Sequence, residues 1–278
     1  VRLAPKSGRP YREGLAEGEG EVVRGDAVVL ATGGSSYPNT GTTGDGWPWA
    51  RAVGHTVVKV RPALAPAYLE LARPQVSGVA LRDIVLKARQ EKKVVAEWRG
   101  DLLFTHQGVS GPTVLGLTRV VAERLEGGSV TLEVDLRPDV PNERLAADAL
   151  AWTAAHPRKG MAGFLPDIPD SLVVGILESA GIDPATSAAQ TERRARNRLV
   201  ETLKRWELGP VRTVPLEKGE CVAGGVSRDE IDPKTMASLK IPGLYLCGEV
   251  VDVAGPVGGY NLQAAFATGH VAGESAAG

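Results

Sequence analysis

The spacing of apolar residues changes character several times along the chain. Ala27 to Ala31 is a short continuous apolar run ending at Thr32-Gly33-Gly34, the pattern of a strand buried on both faces of a parallel sheet. A loop rich in Gly, Thr and Ser runs from Gly33 to Gly46, and Trp47 to Val53 reads as a short helix closed by Gly54. From about Arg61 to Arg137 the period becomes two. Ile84, Leu86 and Ala88 alternate with polar neighbours, as do Val94, Ala96 and Trp98, then Val130, Leu132 and Val134, with a polar turn at Gln90 to Lys93. This predicts a half-exposed antiparallel unit of the barrel kind. From about Asn142 to Trp206 the period is helical, broken at Pro157, Pro166, Pro169, Gly181 and Pro184. After Gly209 a strand at Val211 to Val214 leads to Gly224-Gly225-Val226, a second buried strand spans Gly243 to Glu249, and a helix is expected from about Asn261 to Gly273. The opening, Val1 to Arg24, reads as a small hairpin or meander.

This order predicts an α/β domain in two pieces, 1–61 and 221–278, around an insert at 62–220. The insert is mainly β over 62–140 and 208–220 and mainly helical over 141–207. At 278 residues the chain has room for two cores. Val1 stands where an initiator methionine would, and the chain reads straight into a strand-and-turn pattern, so a fragment is expected.

Composition narrows the partners. A net charge of −1 gives no global basic field for nucleic acid or an anionic membrane; small molecules are the expected substrates, and oligomeric state leaves no mark. Two cysteines, Cys221 and Cys247, make no disulfide framework and read as core residues, and with no long apolar run or leader the cytoplasm is the default compartment. His55, His106, His156 and His270 lie far apart without ligand spacing, so no metal is expected.

Both apolar strands end in glycine, where a backbone can approach a cofactor closely. Gly248-Glu249 puts a carboxylate beyond the second strand, able to accept from sugar or ribityl hydroxyls or simply to cap a helix. Gly258-Gly259 then precede a helix start, whose unpaired N–H groups and dipole favour partial negative charge by about 0.3–2 kcal/mol.

Further motifs carry a resemblance. Ala31-Thr32-Gly33-Gly34-Ser35-Ser36-Tyr37-Pro38, Thr40-Gly41-Thr42-Thr43-Gly44-Asp45-Gly46, Leu103-Phe104-Thr105-His106 with Gly111-Pro112, Gly224-Gly225-Val226-Ser227, Pro242 to Val250, and Gly258-Gly259-Tyr260-Asn261-Leu262-Gln263 follow one another in this order. In this the chain resembles a bacterial family of NAD(P)/FAD-dependent oxidoreductases with aminoacetone-oxidase-like and bile-acid-reductase-like members, and more loosely the fumarate-reductase group. The resemblance implies an FAD-binding, Rossmann-like (glutathione-reductase-like) domain interrupted by a β-barrel-like and helical insert, with NAD(P)H as a transient donor. It places Thr32, Gly33 and Gly34 against FAD, with Thr43, Gly44, Asp45 and Gly46 lining it. By the same resemblance Gly248 and Glu249 meet the ribityl chain, and Gly258, Gly259, Tyr260, Asn261, Leu262 and Gln263 face the isoalloxazine.

The family's opening strand, G-x-G-x-x-G turn and helix has no counterpart in this sequence; Gly18-Glu19-Gly20 follows no apolar strand and lacks the third glycine. Weak or no FAD retention and no turnover are therefore expected of this chain, with activity in a full-length parent. His106 is a candidate proton donor, against the commoner reading of a buried histidine bonded to backbone. Two other functions stay open: a non-catalytic remnant or interaction module, and RNA modification, which relies on the basic residues around Arg193 to Arg205. A solvated face is the commoner meaning of such a helix.

Overall fold

The computed structural model describes residues 2–3, 21–22 and 24–278. At the start β1 (Arg2–Leu3) pairs antiparallel with β2 (Glu21–Val22); the rest of the expected opening hairpin lies outside the described residues. The chain divides into two compact units, Val1–Leu64 with Leu216–Gly278, and Ala65–Pro215. The sequence reading set the junctions at 61/62 and 220/221.

In the first unit, β3 (Val28–Leu30) ends at the Thr32-Gly33-Gly34 turn, and α1 (Gly46–Ala52) follows the glycine-rich loop. Next come β4 (Val57–Ala63) and, after the second unit, β11 (Cys221–Val226), β12 (Leu244–Leu246) and α6 (Tyr260–Ala277). β12 runs parallel to β3, Leu246 opposite Leu30, and β11 runs antiparallel to β4, Cys221 opposite Ala63. The core gathers Leu30, Trp47, Ala50, Val222, Val226, Met236, Leu246, Val250 and Ala272. β11 carries a bulge between Ala223 and Gly225. Gly224 there has φ +95°, and a side-chain carbon on it would collide with the Lys59 carbonyl, which is the physical content of the Gly224-Gly225 motif.

A buried histidine ties this unit together. His55 Nδ1 lies 3.0 Å from Glu230 Oε2 and Nε2 lies 2.8 Å from Ser238 Oγ, while Lys240 Nζ stands 2.7 Å from Glu230 Oε1. The Lys240 ammonium, helped by Thr56 and His55 and opposed by desolvation, holds the Glu230 carboxyl down at about 2. A carboxyl depressed on folding stabilises above its unfolded value and loses that stabilisation as pH falls through its folded one. Glu230→Gln should therefore lower the melting temperature at neutral pH, with the gap to wild type closing between about pH 4.5 and 2; a constant gap across melting curves in that window would contradict this.

The second unit contains β5 (Ala67–Leu69), β6 (Ala80–Gln90), β7 (Lys93–Thr105), β8 (Gly108–Ser110), α2 (Pro112–Arg124) and β9 (Thr131–Asp135). It continues with α3 (Asn142–Ala155), α4 (Asp170–Ser179), α5 (Arg193–Lys204) and β10 (Trp206–Thr213). Its strands close a barrel in the order β10-β5-β8-β7-β6-β9. The inside is lined by the alternating residues of the period-two stretches, among them Leu86, Ala88, Leu102, Phe104, Leu132 and Val134. The β6–β7 turn is two residues, Glu91 and Lys92, both at positive φ, as a tight hairpin requires.

Three elements differ from expectation. β3 is not buried on both faces: Val28 and Val29 are exposed and only Leu30 is buried. α2 interrupts the period-two region: Pro112 sits at the first helical position and Val114, Leu117 and Val121 are buried on one face, a helical spacing embedded among strands. Trp206 is the first residue of β10 rather than the last of α5. It pairs with Val134, and its ring packs 6.1 Å from that of Phe104, so barrel closure overrides the helical phase of the preceding residues. Cys221 and Cys247 are buried, as expected. Among the described residues no helix is long and apolar enough to cross a membrane.

Candidate functional site

The parallel strands β3 and β12 both end toward glycine turns in the first unit. Beyond them is a cavity of about 390 Å³ lined by Leu64, Glu220, Cys221, Gly248, Glu249, Val253, Gly258, Gly259, Asn261, Leu262, Ala264, Ala265 and Thr268. Its size falls in the ordinary range for small-molecule sites, and apolar walls with a few convergent polar groups are the usual makeup.

Each part is held by local physics. Gly259 caps α6 at φ +84° and Gly258 sits at φ +125°, backbone conformations that favour glycine. No side chain caps α6, so the N–H groups of its first turn, on the cavity side at Asn261 and Leu262, are available to a ligand. Asn261 fixes the approach: its Oδ1 accepts from Gly255 N–H at 2.7 Å and its Nδ2 donates to Gly255 O at 3.2 Å. Thr268 Oγ1 accepts from Gly248 N–H at 3.0 Å and donates to Ala264 O at 2.7 Å, binding the end of β12 to α6.

Glu249 joins three segments. Its Oε2 accepts from Gly34 N–H at 3.1 Å and its Oε1 from Val222 N–H at 2.7 Å. Burial pushes its carboxyl up, and the two amides hold it back. A side-chain carbon on Gly34 would collide with this carboxylate and displace it. Both oxygens are thus engaged inside the protein, leaving one lone pair on each for a ligand hydroxyl.

The two glycine-rich loops pack on one another. A side-chain carbon on Gly33 would touch Thr42, one on Gly46 would collide with Thr32 Oγ1, and one on Gly44 would fall 2.8 Å from the Trp47 ring. Thr43 Oγ1 donates to Asp45 Oδ2 at 2.8 Å, so these two satisfy each other within the loop. By contrast the hydroxyls of Thr32, Ser35 and Ser36 are buried with no hydrogen-bond partner. An unmatched buried hydroxyl costs about 1–3 kcal/mol, and three within five residues make a site that an external polar partner would complete.

Of the residues singled out from sequence, Gly248, Glu249, Gly258, Gly259, Asn261 and Leu262 line the cavity. Thr32, Gly33, Gly34, Gly44 and Gly46 lie in the packed loops that reach it through the Gly34–Glu249 bond. Tyr260 and Gln263 are exposed on α6 outside the lining. His106 belongs to the second unit, exposed in the turn between β7 and β8, so the reading of it as a buried histidine does not hold. Sequence reasoning missed Thr268, Ala264 and Ala265, although the helical spacing from Asn261 marks them as one face. It also missed Leu64 and Glu220, which meet because Glu220 N–H donates to Leu64 O across the β4–β11 pair.

A parallel strand pair, glycine turns at its carboxyl ends and an uncapped helix start facing a cavity define a Rossmann-type ligand site. The chain belongs to the HI0933-like family: it matches the HI0933-like protein Rossmann domain over residues 11–275. It is 32% identical over 262 residues to a 3-dehydro-bile acid delta(4,6)-reductase of Clostridium scindens (93% of this chain, 64% of that protein). It is 34% identical over 253 residues to a ribosomal RNA dihydrouridine synthase of Escherichia coli (90% of this chain, 60% of that protein). A protein of the same name from Haemophilus influenzae is 31% identical over 247 residues (87% and 58%). The chain thus spans about three fifths of the length of these curated relatives.

Proposed function

We propose that this chain carries the flavin-facing part of a reductase that saturates a carbon–carbon double bond conjugated to a carbonyl. The observation that carries the reading is the cavity under the start of α6, walled by Gly248, Gly258 and Gly259 and joined through the Gly34–Glu249 bond to the loop that holds the unmatched Thr32, Ser35 and Ser36 hydroxyls. The names of the relatives supply the reaction class. A delta(4,6)-reductase and a dihydrouridine synthase share one transformation, since uracil also has a double bond conjugated to a carbonyl.

The residues fit a flavin. Leu64, Val253, Leu262, Ala264 and Ala265 offer apolar walls to a flat ring, and Gly258 and Gly259 let backbone approach its edge. Glu249 has a free lone pair on each oxygen for ribityl hydroxyls. A flavin held here would supply the hydride for such a reduction. The protein's own share is positional. The first turn of α6 favours negative charge at the ring edge by about 0.3–2 kcal/mol, which tunes reduction without defining the chemistry. Asn261, closed on Gly255, keeps that turn in place. Thr268 holds Gly248 so that Glu249 keeps its aim.

The test is anaerobic reduction of the FAD-supplemented protein by NADPH or dithionite, followed by addition of an α,β-unsaturated ketone or of uridine-containing RNA. The reading expects the flavin band near 450 nm to return together with a saturated product; a flavin that stays reduced with neither acceptor consumed, and reoxidises only when air is admitted, would oppose it.

A further inference from the structure

Four residues of the cavity wall have positive φ. Three are glycine, Gly248 at +71°, Gly258 at +125° and Gly259 at +84°, and the fourth is Leu64 at +49°. Glycine enters left-handed backbone at no steric cost, whereas a bulky residue there is strained. Such a conformation persists where the surroundings over-determine it, and residues of this kind gather at ligand sites. The turn itself does not call for leucine. The bond that Leu64 O accepts from Glu220 N–H, at 3.0 Å, is a backbone bond, and glycine at this position would keep it.

The Leu64 side chain does not serve a core either. It is 7% exposed, yet it belongs neither to the core around Leu30, Val222 and Leu246 nor to that of the barrel. Met236 is the contrast. It too is left-handed, at φ +58°, and 7% exposed, but it packs in the core of the first unit and stands outside the cavity lining. Strain at Met236 is offset by packing inside the protein; the side chain of Leu64 has the cavity instead.

We infer that Leu64 is a specificity-determining residue of this site, its side chain packing on the face of a flat fused ring, and that this contact is what holds a leucine in a glycine's conformation. The inference rests on the flavin reading above and names a residue that selects the ring. An aliphatic side chain against a ring face removes apolar surface from water and gains dispersion contact. It makes no demand on the polar edge of the ring, which is left to the uncapped first turn of α6.

The test is a titration of the full chain with riboflavin and with FAD, followed by quenching of flavin fluorescence, for wild type, Leu64→Ala, Leu64→Gly and Met236→Ala. Urea midpoints of the flavin-free samples are recorded alongside. Both Leu64 variants should bind riboflavin about tenfold more weakly than wild type, and FAD by the same factor, because the two ligands share the ring. Of the two, the glycine variant should have the higher urea midpoint, since alanine keeps the left-handed strain and glycine relieves it. Met236→Ala should lose stability and keep wild-type affinity for riboflavin, which separates a lost contact from a loosened unit. Riboflavin affinity unchanged in both Leu64 variants, an equal loss in Met236→Ala, or an alanine variant more stable than the glycine one would overturn this inference alone. No saturable binding of either flavin by wild type would overturn the flavin reading and this inference together.

Discussion

Replacing Glu249 by alanine should loosen the first unit by roughly 2–6 kcal/mol, because it strands two buried amide donors at about 1–3 kcal/mol each. The Gly34 and Val222 N–H groups both end on this carboxylate, and they belong to segments that nothing local would bring together. The loss should concentrate there: hydrogen exchange at the Gly34 and Val222 amides should speed up well before exchange in the barrel strands. Glu249→Gln should lose less, since its amide oxygen keeps one of the two bonds. An alanine variant with wild-type urea midpoint and both amides still protected would mean that the carboxylate is not the tie between these segments.

The opposite signature is expected at Thr32 and Ser36. Their hydroxyls have no partner inside the protein, so Thr32→Val and Ser36→Ala should leave the stability of the flavin-free protein unchanged or slightly raised. Ser36 Oγ lies close to Gly219, next to the cavity-lining Glu220 and Cys221. If these hydroxyls complete a flavin site, each loss should weaken flavin binding by about 2–12-fold, the worth of one net hydrogen bond of about 0.5–1.5 kcal/mol. Calorimetric melting and flavin titration of the same samples separate the two effects. A variant that is destabilised without flavin but binds flavin as wild type does would invert the expectation.

The positions of strands β3 and β12 were legible from continuous apolar runs ending in glycine, but their burial was not: Val28 and Val29 are exposed, and only Leu30 and Leu246 are buried. The barrel was legible because Ile84, Leu86 and Ala88, and Val130, Leu132 and Val134, recur at every second position and are buried, whereas Val94 and Trp98 of the third such stretch are exposed. The helix α2 was hidden by its place between strands, though Val114, Leu117 and Val121 carry its period. Trp206 could not be assigned locally: its backbone pairs with Val134, 72 residues away, and only barrel closure decides that. The same holds for the site. The glycines that turn the chain at 33–34, 248 and 258–259 announce themselves as residue types. The engagement of Glu249 with Gly34 and Val222 is set by how strands far apart in sequence come together, and no motif records it.

The most direct test of the central claim is a titration of the purified chain with FAD, followed by quenching of flavin fluorescence, with wild type and Thr32→Val/Ser36→Ala side by side. The account predicts saturable quenching by wild type and an affinity about 4–140-fold lower in the double variant, the product of the two single losses. No saturation with wild type, or identical curves for the two proteins, would contradict it.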